Sequence, residues 1–366
     1  MPSSPDHIGA MLRKLVAADQ LRRLSSPPPG SVDFSSKDYL GLAKAEFNGQ
    51  GPEGATGSRL LNGNHPTHEA FETFAADFFK APTALLFSSG YLANVGLLSA
   101  IARRGDTFLY DAQIHASMRD GMRLSPAQRF AFRHNDLADL ERLLKKATGT
   151  CFVVAEALYS MDGDCPDLEA MADLTDKYGA WLIVDEAHST GLFGEYGEGW
   201  AVESGVADRI WARIYTFGKA VGRQGAVVTG PPELKDYLVN RARTFIYTTA
   251  MAPRQVAGLA PALEAVANAG AEREQLRALH RRFYAEMKKG GLEVLEAFTP
   301  ICPVVVPGNA AVMRLAEAVQ AAGYDVRAIR YPSVEKGTER LRIILHSFNE
   351  MAEIDGLVET IYREFG

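Results

Sequence analysis

In the stretch YTFGKAVGRQGAVV, Lys219 stands between Gly218 and Ala220, just after the apolar run RIWARIYTF. A surface lysine normally sits among polar neighbours. Here a long amine is placed where a strand ends and the backbone turns among small residues. An amine in dry surroundings gives up its proton readily and can serve as a nucleophile or a base. Other residues capable of chemistry recur in the same context, directly after short apolar runs. Ser89, Gly90 and Tyr91 follow TALLF, and His115 follows TFLYD. Ser160 follows CFVVAEAL, Asp185 and His188 lie in DEAHSTG after WLIV, and Thr216 closes the run before Lys219.

Those runs define the elements that must hold the chemistry. HEAFETFAADFF places Phe71, Phe74, Ala75 and Phe78 at helical spacing. Strand-like TALLFSS, TFLYD, CFVVAEAL and WLIVDEA then alternate with helix-like LANVGLLSAIA, LADLERLLKKA and LEAMADLTDKYG. Short apolar strands alternating with amphipathic helices predict an α/β fold with a mainly parallel sheet. In such sheets ligands gather at the carboxyl ends of the strands. All the residues above fall at that one rim. SSPPPGS marks a linker, so residues 1–37 are read as a helical arm and linker. Residues 38–252 form a large domain. Residues 253–366 hold a long helix running from Pro253 towards Tyr284, then a smaller α/β domain.

Composition narrows the function classes. The chain has 366 residues, more than one compact core usually holds. Its net charge is −6 with no dominant basic block, which argues against nucleic acid as a partner. Cys151, Cys165 and Cys302 are too few and too scattered for a disulfide framework or a zinc cage, so no metal site is expected. A reducing, cytoplasmic setting follows from the same count. No apolar run reaches membrane-helix length, and no membrane role is expected.

Each rim residue has an ordinary structural role open to it, such as a helix cap or a turn. Together they fit one cofactor, pyridoxal 5'-phosphate (PLP), an electron sink held by a lysine and an acidic partner at its pyridine nitrogen. The motifs FSSKDYLGL, GATGSRLLNGN, SSGYLAN, HAS, HNDL, YSMDGD, VDEAHSTG, TFGKAVG, FIYTTAMAP and ERLRI occur in that order. The chain thereby resembles the α-oxoamine synthase family of fold-type I PLP-dependent transferases. Members join an amino acid to an acyl-CoA with loss of CO2.

The resemblance implies a role for each residue. Lys219 is the Schiff-base lysine and the base at Cα. Asp185 pairs with the pyridine nitrogen, and His115 stacks on the ring and assists proton transfer. His188 and Ser160 contact the phenolic oxygen. Ser89, Gly90, Tyr91 and Thr216 cradle the phosphate, joined by Thr249 from a second subunit, which implies a homodimer with shared sites. Arg342 grips the amino-acid carboxylate, with Arg340 as the nearby alternative on grounds of strand face. The expected substrates are L-alanine and a medium-length thioester ending in a carboxylate, carried by CoA or an acyl-carrier protein. Arg22 is a candidate anchor for that distal charge. Lys37 stands where the family usually has asparagine, either reaching substrate or turned to solvent. AKAEFNGQGPEG is shorter than usual, which predicts a missing helix near the entrance. The alternatives are a sister synthase using glycine or serine, a PLP aminotransferase or aldolase, and a non-catalytic partner subunit.

Overall fold

The computed structural model describes residues 5–18, 20–22, 24, 26–289 and 299–365. Its strands are Val32–Asp33 (β1), Thr83–Phe87 (β2), Thr107–Asp111 (β3), Gln128–Phe132 (β4), Cys151–Glu156 (β5) and Trp181–Asp185 (β6). They continue as Ala212–Thr216 (β7), Ala226–Gly230 (β8), Ile301–Val305 (β9), Tyr324–Asp325 (β10), Arg327–Ile329 (β11) and Arg340–Ile344 (β12). The helices that matter here are Asp6–Ala17 (α1), Pro66–Phe78 (α2), Gly90–Ile101 (α3), Ala116–Leu124 (α4), Leu137–Leu144 (α5) and Leu168–Tyr178 (α6).

Seven strands form the central sheet in the order β2-β8-β7-β6-β5-β3-β4. β8 runs antiparallel to both its neighbours, and the other pairings are parallel. Every residue of β5 is buried, as expected of a strand covered by helices on both faces. Burying each such apolar side chain is worth roughly 1.5–3 kcal/mol. At the carboxyl ends this apolar character stops abruptly. β3, β5, β6 and β7 end in Asp111, Glu156, Asp185 and Thr216, all buried. Buried polar groups need partners, so this rim is where the fold spends its hydrogen bonds.

Capping sets the adjoining helices. Ser89 Oγ accepts the Leu92 N–H at 3.3 Å at the start of α3, and His115 Nδ1 accepts the Ser117 N–H at 3.2 Å at the start of α4. Gly179 closes α6 with φ +63°, a left-handed cap that glycine adopts without strain.

The second unit is a three-stranded antiparallel sheet, β11-β12-β9, packed against helix Asn309–Ala321, which in turn packs on helix Met351–Phe365. Two features differ from the sequence expectations, and a third concerns the shortened segment. The stretch from Pro253 is not one long helix but three, Pro253–Ala257, Leu259–Asn268 and Gly270–Lys289. The preceding chain crosses there: a Cβ on Gly258 would lie 2.9 Å from Phe47 O, and Pro52 O accepts the Arg254 N–H at 3.1 Å. The end of the expected arm and linker is also woven into the second unit. β1 pairs in parallel with β10, and Phe34 O accepts the Ile344 N–H at 2.9 Å. Finally, residues 45–65 contain no helix, so the shortened segment crosses the surface as irregular chain.

Candidate active site

Lys219 lies in the turn between β7 and β8. Gly222 N–H donates to Lys219 O at 2.8 Å, and Phe217 O accepts the Arg223 N–H at 2.7 Å. Gly222 has φ +66°, and a Cβ there would meet Ala43 N at 2.5 Å, so the tight turn requires glycine. The Lys219 amine is held below its usual proton affinity by burial and by Arg342, while Asp185 and Glu156 oppose the shift. This is the environment that makes a lysine nucleophilic.

Asp185 ends β6. Its Oδ1 accepts the Ala187 N–H at 2.8 Å, and its Oδ2 accepts from Asn94 Nδ2 at 2.7 Å. Asn94 comes from α3 and also donates to Ser117 Oγ at 3.0 Å. Ser117 Oγ lies 2.7 Å from His115 Nδ1. His115 also donates its backbone N–H to Glu156 Oε1. Burial, then Lys219 and Lys37, lower the proton affinity of His115, with Asp185 acting against them. Glu156, opposite Asp185 in register, is pushed well up by burial and by that carboxylate. His188 is buried and held well below its usual range by desolvation and nearby cations; its Nδ1 lies 2.8 Å from the Tyr39 hydroxyl. Ser160 occupies a half-buried turn closed by Gly163 N–H donating to Tyr159 O at 2.9 Å.

At the start of α3, a Cβ on Gly90 would stand 2.3 Å from Thr216 Cγ2. Only glycine lets the helix N-terminus approach β7 so closely. Thr216 Oγ1 is buried there without a hydrogen-bond partner among the described residues. An orphaned hydroxyl beside a helix N-terminus suits an anionic phosphate oxygen. Tyr91 is exposed and its hydroxyl donates to Asp120 Oδ2 at 2.8 Å, so its side chain points to the surface. Thr249 is exposed on the chain after helix Arg243–Ile246.

The two arginines of β12 are two residues apart and so share a strand face; strand face cannot separate them. Their partners do. Arg340 is buried and tied to the Asp162 carboxylate, Met161 O and Thr338 O. Arg342 contacts Met161 Sδ at 3.9 Å and is felt by Lys37, Lys219 and His188. Lys37 does not turn to solvent. Its amine is partly buried, and desolvation with the charges of Arg342 and Lys219 lowers its pKa to about 8. Arg22 is exposed and donates to Ser333 Oγ at 3.3 Å, and among the described residues it has no tie to these groups.

Sequence reasoning missed Asn94, Ser117, Glu156 and Tyr39. Three of them lay inside quoted motifs, SSGYLAN, HAS and FSSKDYLGL, and Glu156 is a polar strand end of the kind already being read. One trio, His134, Asp162 and Asp164, brings ligand-type atoms within 4.8 Å. There both His134 nitrogens already lie 2.9 Å from carboxylates, of Asp111 and Asp164. A groove of about 1070 Å³, lined by Thr150, Trp181 and Trp211, opens at the opposite, amino ends of the strands and contains none of the expected residues.

The residues at the rim fit PLP: an amine of reduced proton affinity, a buried carboxylate held by two donors, and an orphaned hydroxyl at a helix N-terminus. Residues 29–361 match the family described as aminotransferase class I and II. The chain belongs to that family, and within it to the α-oxoamine synthases. Its similarity to 8-amino-7-oxononanoate synthase of Alkalilimnicola ehrlichii is 40% identity over 367 residues, covering 97% of this chain and 93% of that protein. The crystal structure of 8-amino-7-oxononanoate synthase from Francisella tularensis superposes with TM-score 0.79 at 28% identity, over 92% of this chain and 98% of that one. Serine palmitoyltransferase from S. paucimobilis, with a bound PLP–myriocin aldimine, superposes with TM-score 0.87 at 28% identity, over 98% and 96%.

Proposed function

We propose that the chain condenses L-alanine with a pimeloyl thioester, releasing CO2 and the thiol carrier and forming 8-amino-7-oxononanoate. The observation that carries this reading is the convergence of Lys219, Asp185 and His115 at one rim, with Arg342 of β12 near enough to lower the proton affinity of Lys219, in a chain 40% identical to a synthase of that name. PLP, when bound, supplies an electron sink next to the amino acid's Cα. Lys219 would hold it through Nζ, Asp185 through its carboxylate, and Thr216 with the N-terminus of α3 through its phosphate. His188 and Ser160 would serve its phenolic oxygen.

The chain's own groups then divide the work. Arg342, which among the described residues makes no ion pair with a carboxylate, would offer its guanidinium to the substrate carboxylate, a charge-assisted contact strengthened by partial burial. Lys37 adds a second cation beside it. Lys219 Nζ, with its lowered proton affinity, takes the Cα proton and later returns one. Asn94 and the Ala187 N–H hold the Asp185 carboxylate in place. We read the assembly as a homodimer in which Thr249 of one copy completes the phosphate cradle of the other, and the acyl carrier as CoA.

Purified protein with PLP, tested with alanine, glycine and serine against pimeloyl-CoA, palmitoyl-CoA and acetyl-CoA, decides the matter through thiol and CO2 release. Alanine with pimeloyl-CoA is expected to react fastest. A clear preference for glycine with acetyl-CoA, or for serine with palmitoyl-CoA, would overturn the substrate assignment. Transamination without thiol release would overturn the reaction itself.

A further inference from the structure

Ser117 carries no role in the reading above and Asn94 only holds Asp185, yet both are buried and both lie between the two residues expected to flank the cofactor ring. The carboxylate of Asp185 only accepts hydrogen bonds. The Asn94 amide must therefore turn its NH2 group towards Asp185 Oδ2, at 2.7 Å. The same nitrogen reaches Ser117 Oγ at 3.0 Å, so the serine oxygen accepts there and sends its own proton elsewhere. The neighbour at 2.7 Å is His115 Nδ1. That nitrogen also receives the Ser117 backbone N–H at 3.2 Å. Two donors thus converge on Nδ1. A ring nitrogen facing two donors keeps its lone pair, and the ring proton resides on the other nitrogen. Among the described residues, Nε2 of His115 makes no hydrogen bond.

We infer that Asn94 and Ser117 are positioning residues that lock His115 as the neutral Nε2–H tautomer, with Asp185 anchoring the far end of the relay. His115 then presents a hydrogen-bond donor to the site. Any part it takes in proton transfer is then as a donor and not as a base through Nε2. Protonation at Nδ1 would require the serine hydroxyl to rotate and the Ser117 N–H to lose its acceptor. The charged and titratable groups that face the ring are Asp185, Glu156, Asp120, Lys219, Lys37 and His188. Within the proposed function, on which this one clause rests, the donor is suited to an acyl or carboxylate oxygen of the substrate.

The test is the 15N spectrum of histidine-labelled, cofactor-loaded protein, with His115 assigned by its loss in His115→Asn. One nitrogen should carry a proton and couple as Nε2–H, and Nδ1 should resonate as an unprotonated nitrogen through neutral pH. In Ser117→Ala the two tautomers should mix, and the protonation midpoint should rise. Ser117→Thr, which keeps the hydroxyl, should restore the wild-type pattern. A wild-type Nδ1–H signal, or a Ser117→Ala spectrum identical to wild type, would overturn the inference. The wild-type spectrum decides alone if a variant fails to fold. The measurement needs no substrate, so failure of the substrate assignment leaves it intact.

Discussion

Lys37 stands where the family resemblance leads one to expect asparagine. Its segment is pinned on both sides: Ser36 Oγ lies 3.1 Å from His346 Nε2, and Tyr39 O accepts the Ser347 N–H at 2.9 Å. The amine is therefore held beside Arg342 rather than free to swing into water. With a pKa near 8, it is a cation below that pH and neutral above it. A carboxylate substrate gains from the charged form alone. The dissociation constant for L-alanine should accordingly rise as pH passes upward through about 8. Lys37→Asn should weaken binding at pH 7 by roughly 10–100-fold, the value of one charge-assisted hydrogen bond, and should flatten that rise. Binding titrations from pH 6.5 to 9.5 check this, and superimposable profiles would refute it. Comparing wild type with Lys37→Asn separates Lys37 from Lys219, whose lowered proton affinity is common to both proteins.

At the scale of elements, His134 joins the end of β3 to the turn that follows β5. It sits 2.9 Å from both Asp111 Oδ1 and Asp164 Oδ2. Burial works against its charge, but the two carboxylates prevail and raise its pKa to about 9. An unfolded histidine titrates near 6.5. The folded state holds the proton more tightly, so the stabilisation is complete below about pH 6.5 and is lost as pH climbs through 9. The loss should be on the order of 2 kcal/mol, reduced from the full shift because the ring is partly exposed. Urea unfolding at pH 6 and pH 9.5 should show wild type losing this amount relative to His134→Gln. Equal losses in both proteins would remove His134 from the account. The same turn carries Ser160 and Asp162, whose carboxylate holds Arg340, so one brace serves both units of the fold.

For the whole molecule, α1 buries none of its residues, and Ile8, Leu12 and Val16 recur at one helical spacing, with Met11 alongside, all exposed. An apolar stripe of this kind left in water favours a covering partner. Together with exposed Thr249, it supports association of two copies. Light scattering should return twice the 39.8 kDa chain mass. Thr249→Ala should weaken PLP binding by roughly 10-fold or more if its hydroxyl meets a phosphate. Mixed dimers with Lys219→Ala restore one intact site and so should regain tight PLP binding and turnover. A monomeric protein that binds PLP as tightly as any variant would defeat the shared-site reading.

The sequence by itself determined what depends on local pattern. Alternating short apolar runs and amphipathic stretches specified a mainly parallel sheet, because period and burial are written in consecutive residues. The placement of Lys219, Asp185 and His115 after strands followed from the same pattern. β4 was missed because QRFAF is mostly exposed and lacks the apolar run that marked its neighbours. Only the tertiary structure decided matters that join distant segments. Arg340 was removed from contention by Asp162, 178 residues earlier, and Lys37 was turned inward by a segment tied to His346, 310 residues from Ser36. The long helix from Pro253 was broken by chain crossing from residues 47–52. The relay from Asp185 through Asn94 and Ser117 to His115 draws on β6, α3 and α4. No spacing along the chain encodes it, because hydrogen-bond direction is set by which groups face one another once the helices pack on the sheet.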